Sequence, residues 1–509
     1  MRARSLRHRS LPLVAIAAPA GASCRASAGV RAAVAAIAVG LVSCASVAEF
    51  QRPSGDGGWS AARRAEELGA LARRAGVDFG AAAEATPPTP RPLDLATAVT
   101  MAAKGNRRIA ISERQLQGVA EQVRDVRGRL LPSTVGSGRY AWYTDALRNA
   151  VPLPAGVGSP GGSSIEIRPV DVGTLNGTLT LPLDVSGELR YALAAAQAGY
   201  RGEQARVWAT TLDQQLAVVR AYFQLLENER LREVTEANVT LDREQLANSQ
   251  AKFQSGRLTK NELLVVQVAL QTDEEQLEQR ALAIAQARYV LNQAIGADVN
   301  APTEPADVAE RPVVPRVEEA LRVAYADNPV LHSLVEEQQR LEGTARSLVR
   351  SRLPRLSAGG AIDYSNSPIL EPQDIGSGFV GFSWDLGADG RREAQIAEAK
   401  IAAERNRLEI ERQLRELEAL VRSTRQAAAE RLAALATAET AVGQAEENLR
   451  IRRQQFDAGR ASSEDVLDAQ ALLSAQRAVG ASALYQAHVR LAELRSLMGQ
   501  STASESNPR

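Results

Sequence analysis

The chain has 509 residues, whose 60 basic and 60 acidic side chains cancel, so no bulk field favours nucleic acid or an acidic partner. Its two cysteines, at positions 24 and 44, exclude a disulfide framework for the body of the protein. Aromatics are scarce, and Ala, Leu, Gln, Glu and Arg dominate the second half, which suits long helices in lateral contact better than a thick globular core.

At the N-terminus, "RAAVAAIAVGLVSCAS" starts with Arg31, continues as an apolar run too short to span a bilayer, and ends Leu41-Val42-Ser43-Cys44. Export followed by cleavage is the reading. The Leu-Val-Ser-Cys end resembles a bacterial lipobox, which implies cleavage before Cys44 and acylation of its thiol; an ordinary leader with a chance cysteine is the alternative. Cys24 lacks the large apolar residue at the first lipobox position and ranks second. By the same resemblance, Ser46 rather than Asp two residues after Cys44 favours sorting to the outer membrane.

The rest of the chain is written twice. Asn106 and Leu131-Pro132 recur as Asn328 and Leu353-Pro354, 222 residues on. Gly256 and Gly296 recur as Gly459 and Gly499, 203 residues on. The offset shrinks where the Pro/Gly/Ser-rich "NAVPLPAGVGSPGGSS" is answered by the shorter "NSPILEPQDIGSG", as a loop allows. Such a period is far longer than a solenoid repeat, so two copies of one unit are expected. The chain divides accordingly into a leader (1–43), an N-terminal segment (44–92), a first repeat (93–300), a linker (301–316), a second repeat (317–499) and a tail (500–509).

Each unit begins with alternating segments. In "VGTLNGTLTLPLD", Leu175, Leu179, Leu181 and Leu183 share one face with Gly177, while Thr and Asn occupy the other; in "GFVGFSWDL", Val380, Phe382 and Trp384 oppose Gly381, Ser383 and Asp385. These read as half-apolar strands. "TVGSGRYAWYT" and "LSAGGAIDYS" supply two more, with Tyr140 and Trp142 matching Ile362 and Tyr364 at the 222 offset. Four strands leave two bare edges, which lipid does not tolerate. If they enter a bilayer, several copies must close one barrel, of eight, twelve or sixteen strands; a small soluble sheet is the alternative.

The proline-free windows, 183–301 and 373–507, admit long helices. From about Leu189 to Gln254 a single helix of about 100 Å is expected, with Leu212, Leu216, Val219, Phe223 and Leu226 along one stripe. It ends at "KFQSGRLTKNE", as the second copy ends at "QFDAGRASSED". Gly256 and Gly459 are expected to close the incoming helix, and Thr259 with Glu262, and Ser462 with Asp465, to cap the next one as capping boxes. Each motif is then the tip of an antiparallel helical hairpin.

Together, the lipobox, the doubled strand-strand-hairpin plan and "FDAGRASSEDVLDAQ" resemble the TolC-like outer membrane efflux proteins, most closely in plan their lipid-anchored, OprM-like branch, over residues 93 to 500. The resemblance implies a mainly helical chain with transmembrane strands. A homotrimer would form a 12-stranded barrel, four strands per chain, continued by a long helical barrel into the periplasm. It implies docking of a periplasmic adaptor, linked to an inner-membrane pump of RND or ABC type, at Gly256, Arg257, Gly459 and Arg460; a plain helix cap with solvated arginines is the alternative. Tyr140, Trp142, Leu179, Leu181, Leu183, Val380, Phe382 and Trp384 would face outer membrane lipid. Asp468, in Leu467-Asp468-Ala469-Gln470, matches the family's periplasmic aperture carboxylate, while the first copy has Val265. Glu464 stands where related lipid-anchored channels carry an apolar plug, so a double acidic ring replaces the seal, unless Glu464 is only a first-turn acid offsetting the helix dipole.

No Gly-rich phosphate loop and no Cys/His cluster of metal spacing occurs, so neither enzyme nor cofactor nor metal site is expected. The rival function is a periplasmic coiled-coil scaffold lipoprotein without channel activity, which leaves the paired amphipathic strands without a purpose.

Overall fold

The computed structural model of the chain describes residues 92–150, 164–308, 310–367, 372–386 and 390–502. The leader with Cys44, the segment to residue 91, the stretch 151–163 and the tail beyond 502 lie outside those residues. The chain divides into two units: Ala81–Val135 with Tyr140–Arg509, which holds all the described helices, and Met1–Gly80 with Gly136–Arg139, of which only the last four residues, in a strand, are described.

Helices α1 (Leu95–Gly105) and α2 (Arg107–Gly128) are divided by Asn106, whose side chain accepts from the Arg108 N–H at 2.8 Å. Helices α5 (Val317–Asp327) and α6 (Pro329–Arg350) are divided in the same way by Asn328, which accepts from Val330 and Leu331 with Pro329 as the first helical residue. The residues paired by the 222 offset thus act alike. In each, an Asn side chain replaces a missing helical acceptor and caps the start of the next helix.

Helices α3 (Glu188–Gln254) and α7 (Arg391–Asp457) are each 67 residues long, and each turns into a partner, α4 (Lys260–Ile295) or α8 (Ser463–Leu497). Asp184 fastens the start of α3, its carboxylate accepting from the Leu189 and Arg190 N–H groups at 3.2 and 3.0 Å. α3 packs against α2, α4, α6 and α8, and α7 against α5, α6 and α8. All five residues of the expected stripe, Leu212 to Leu226, are buried. Near the middle of α3, Leu216, Val219, Phe223 and Leu226 join Tyr222, Leu225, Leu291, Ile295, Tyr485 and Leu93 in the main apolar cluster.

The linker runs across that cluster. Leu93 exchanges backbone hydrogen bonds with Glu304 and Ala306, both 2.8 Å, and the Tyr222 hydroxyl donates to Ala306 O at 2.6 Å. Asn292 donates to the carbonyls of Val299 and Ala301, so a segment with no sequence periodicity is held by side chains of the helices it crosses.

Strands β1 (Ser133–Trp142), β4 (Asp171–Leu183), β5 (Arg355–Ser365) and β6 (Asp374–Ser383) form one sheet in the order β1-β4-β5-β6. Four strands were expected; among the described residues there are six. β2 (Leu147–Ala150) and β3 (Ser164–Arg168) pair as a separate antiparallel ribbon between β1 and β4, flanking the Pro/Gly-rich stretch that reads as loop. Their four and five residues are too short to show a period. Trp384 lies one residue beyond β6, and its indole N–H donates to Arg352 O at 3.0 Å.

Candidate functional site: an apolar sheet face and two helical tips

The pairing register decides what each face of the sheet presents. Residues directly opposite in antiparallel strands share a face. Leu183, Leu356 and Phe382 form one such row, followed by Leu181, Ala358 and Val380, then Leu179 with two glycines, then Gly177, Ile362 and Gly376. The other face carries Thr174 with Ser365, Asn176 with Asp363, Thr178 with Ser377, and Pro182 with Ser357; Phe379 and Ile375 are its large apolar exceptions. The Asn176 amide donates to the Asp363 carboxylate across that face.

The apolar face is bare. Val380 is 77% exposed, Phe382 72%, and Leu179, Leu181, Leu183 and Ile362 are also open. Water does not leave such a surface uncovered on a stable monomer. Its aromatic residues sit at the two ends: Trp142 and Tyr140, rings 6.2 Å apart, at the end far from the helices, and Trp384 at the junction with them. Amphipathic rings at both margins of an apolar band are the arrangement of a bilayer-spanning sheet, whose strands need about 9–11 residues. These four have 10 to 13. Among the described residues β1 and β6 are the outer strands of this sheet. Among the described residues no helix is long and apolar enough to cross a membrane.

At the other end of the long helices are the tips. Gly256 (φ 71°) and Gly459 (φ 69°) are left-handed, as expected. Each is followed by an arginine whose backbone N–H reaches back five residues, Arg257 to Lys252 O and Arg460 to Gln455 O, both at 2.8 Å. This is the Schellman closure that a glycine permits. Both capping boxes form: Thr259 with Glu262, and Ser462 with Asp465, each side chain bonded to the other's backbone N–H. The N–H of Thr259, then its hydroxyl, holds the Glu262 carboxyl below its usual range, and Ser462 does the same to Asp465. Asp465 is therefore committed to the cap, while Glu464 and Asp468 stand exposed one helical turn apart on one face of α8. At the 203 offset α4 presents Asn261 and Val265, so the acidic stripe belongs to the second hairpin alone.

The tips are not equivalent. Phe456 is buried in a cluster with Leu449, Val466, Ala469 and Leu473, with Lys252 Nζ of the first hairpin 3.5 Å above its ring. The same ammonium donates to Phe456 O at 2.9 Å and pairs with Asp457 at 3.2 Å. Phe253, the counterpart of Phe456, is 40% exposed, beside exposed Leu264, Val265 and Val268. The 203-residue symmetry of the motif conceals this difference, which arises from which hairpin lies inside the chain's own packing. Lys252 carries no motif that would single it out.

A family model described as "Outer membrane efflux protein" matches residues 98–297 and 320–500. No individually curated protein sequence matches significantly. Among solved structures, the outer membrane protein VceC of Vibrio cholerae aligns over 80% of this chain and 96% of its own, at 16% identity and a TM-score of 0.68. The CmeC outer membrane channel of Campylobacter jejuni aligns over 85% and 93%, at 15% identity and 0.68. The open state of the Neisseria gonorrhoeae MtrE outer membrane channel aligns over 80% and 89%, at 16% identity and 0.65. At these identities the likeness is one of fold.

Proposed function

The chain belongs to the outer membrane efflux protein family, and from that premise we propose that three copies close one channel, the passive outer-membrane exit of a three-part efflux or export assembly. One observation carries the proposal: a four-stranded sheet with an exposed apolar face and a mainly polar reverse, whose outer strands among the described residues are β1 and β6. β6 of one copy meets β1 of the next, giving twelve strands with lipid outside and the Asn176–Asp363 face toward water. Below it, the α3–α4 and α7–α8 hairpins of three copies continue the wall through the periplasm. The exposed side of the first hairpin, Phe253 with Leu264 and Val268, is where the second hairpin of the next copy lies.

Arg257 and Arg460, exposed beyond their glycines, are the docking points for a periplasmic adaptor that connects to an inner-membrane pump of RND or ABC type. Three Asp468 side chains, with three Glu464 one turn nearer the tip, form the acidic periplasmic aperture. Like charges converging there favour cations. Cys44 is the acylation site, after a leader of residues 1–43, and the repeats are 93–300 and 317–499. A periplasmic scaffold has no use for the apolar sheet face.

The test is the mature chain purified in detergent and reconstituted in a planar bilayer. A trimer that needs detergent and conducts ions is expected. A monomer that stays soluble without detergent, or a trimer without conductance, would overturn the proposal.

A further inference from the structure

Where the two hairpins of one chain meet, their contact changes character along its length. Near the middle of α3 it is apolar, with Phe223 against Tyr485. Toward the tips it becomes polar although it stays buried: Asp242 (2% exposed), Gln245, Ser249, Ser463 and Gln470 all lie inside. Gln245 Nε2, Ser249 Oγ, Ser463 Oγ and Gln470 Oε1 have no hydrogen-bond partner there. A buried polar group left unpaired costs about 1–3 kcal/mol, so this seam is a weak closure beside the apolar one.

Its centre is one carboxyl. Gln470 Nε2, on α8, donates to Asp242 Oδ1, on α3, at 2.7 Å. On the other side, the Asp273 carboxyl of α4 is within hydrogen-bonding reach of Asp242. We infer that a proton shared between Asp242 and Asp273 clasps α3, α4 and α8 together, and that its loss loosens the second hairpin from the first. Protonated, Asp242 donates through one oxygen to Asp273 while the other accepts from Gln470, and three helices of both hairpins are joined. Ionised, it keeps only the Gln470 contact and, itself buried, faces a second carboxylate that is half-buried.

Among the described residues no cation faces Asp242. Asp273 is the charged group facing it from α4, and the next residue, Glu274, is paired with Arg243 at 2.8 Å. From α8 come Gln470 and Ser474, both neutral, while Arg477 is paired with Glu446 of α7 at 2.7 Å. Burial first, then the Asp273 charge, pushes the Asp242 carboxyl up from 3.8 to about 6. The clasp is therefore complete below about pH 4 and is lost as the pH rises through about 6. Gln470 lies two residues after Asp468, buried while Asp468 is exposed. The turn that presents the aperture carboxylate outward is thus the turn the clasp holds from within. This consequence for the aperture rests on the channel reading; the clasp itself does not.

The experiment is hydrogen exchange of the full mature chain in detergent, followed by mass spectrometry on peptides covering 238–249 and 463–474. Protection is corrected for the intrinsic pH dependence of amide exchange. Protection in both peptides should fall on the order of tenfold between about pH 4.5 and about pH 7, while peptides around Tyr222 hold steady. Asp242→Asn, which keeps both hydrogen bonds without a charge, should be protected equally at both values. Asp273→Asn should fold and shift the loss to lower pH. A pH-independent wild type, or an Asp242→Asn variant that loses protection like the wild type, overturns the clasp. Neither outcome depends on whether the protein conducts.

Discussion

The two hairpin tips have the same motif and different surroundings. At the second tip, Phe456 is 3% exposed, roofed by Lys252 and packed on Val466 and Leu473; at the first, Phe253 is 40% exposed, with no such cluster about it. The turn chemistry is set locally, by a glycine that accepts positive φ and a hydroxyl that caps orphan N–H groups of the next helix. Burial is set by what crosses the turn, and within one chain only the second hairpin has a neighbour on that side. A duplicated segment thus keeps its backbone and diverges in its packing.

The largest test of that contrast is truncation. Phe456→Ala should destabilise the subunit by about 3–5 kcal/mol, whereas Phe253→Ala should cost the isolated subunit no more than about 1 kcal/mol. If the first tip is covered by the next copy, Phe253→Ala should instead lower the trimer fraction in detergent, read by native mass spectrometry. Equal effects of both substitutions on subunit unfolding in urea would remove the asymmetry. The turn glycines should behave alike despite the contrast, because nothing approaches a Cβ built at either. Gly256→Ala and Gly459→Ala should each cost about 1 kcal/mol through backbone strain alone, measured in the same unfolding series.

Much of this was legible from residue order. Pro182 and Pro302 bracketed α3 and α4, and the start expected near Leu189 is found at Glu188. The strand faces were legible because a period of two is unambiguous when Leu alternates with Thr. The β2–β3 ribbon was not, since its strands are short and border a stretch rich in turn formers. Nor was the buried seam: Asp242 and Gln470 are 228 residues apart and look like ordinary polar residues of exposed helix. Only the packing of α8 on α3 removes them from water. The exposure of Phe253 was hidden for the same reason, because the motif it shares with Phe456 encodes the turn and not the neighbour.

Docking gives a smaller effect, read as a yield. A cysteine at Arg460 or at Arg257 should crosslink to the helical hairpin of a co-expressed adaptor, while one at Arg243, on α3 away from the turn, should not. Crosslinks from neither tip position would show that these arginines are only solvated ends of a Schellman turn.

The smallest expected change uses two positions on one helical face where the tips differ in charge. Asp468 and Glu464 lie along one exposed face of α8, where α4 has Val265 and Asn261. In the proposed trimer three copies would place six carboxylates near the axis, and a multivalent cation bound between them would gain from several charges at once. Asp468→Ala with Glu464→Ala should raise the resting conductance by a factor of about two to three and relieve block by trivalent cations, an effect that shrinks at high salt as screening replaces the bound ion. Val265→Asp in that background should restore part of the block if the first hairpin borders the same opening. Restoration would mean that the two hairpins share one aperture and differ there by a side chain alone. Block lost with the acids and unrecovered with Val265→Asp would assign the opening to the second hairpin, the one that Asp242 and Lys252 tie to its neighbour.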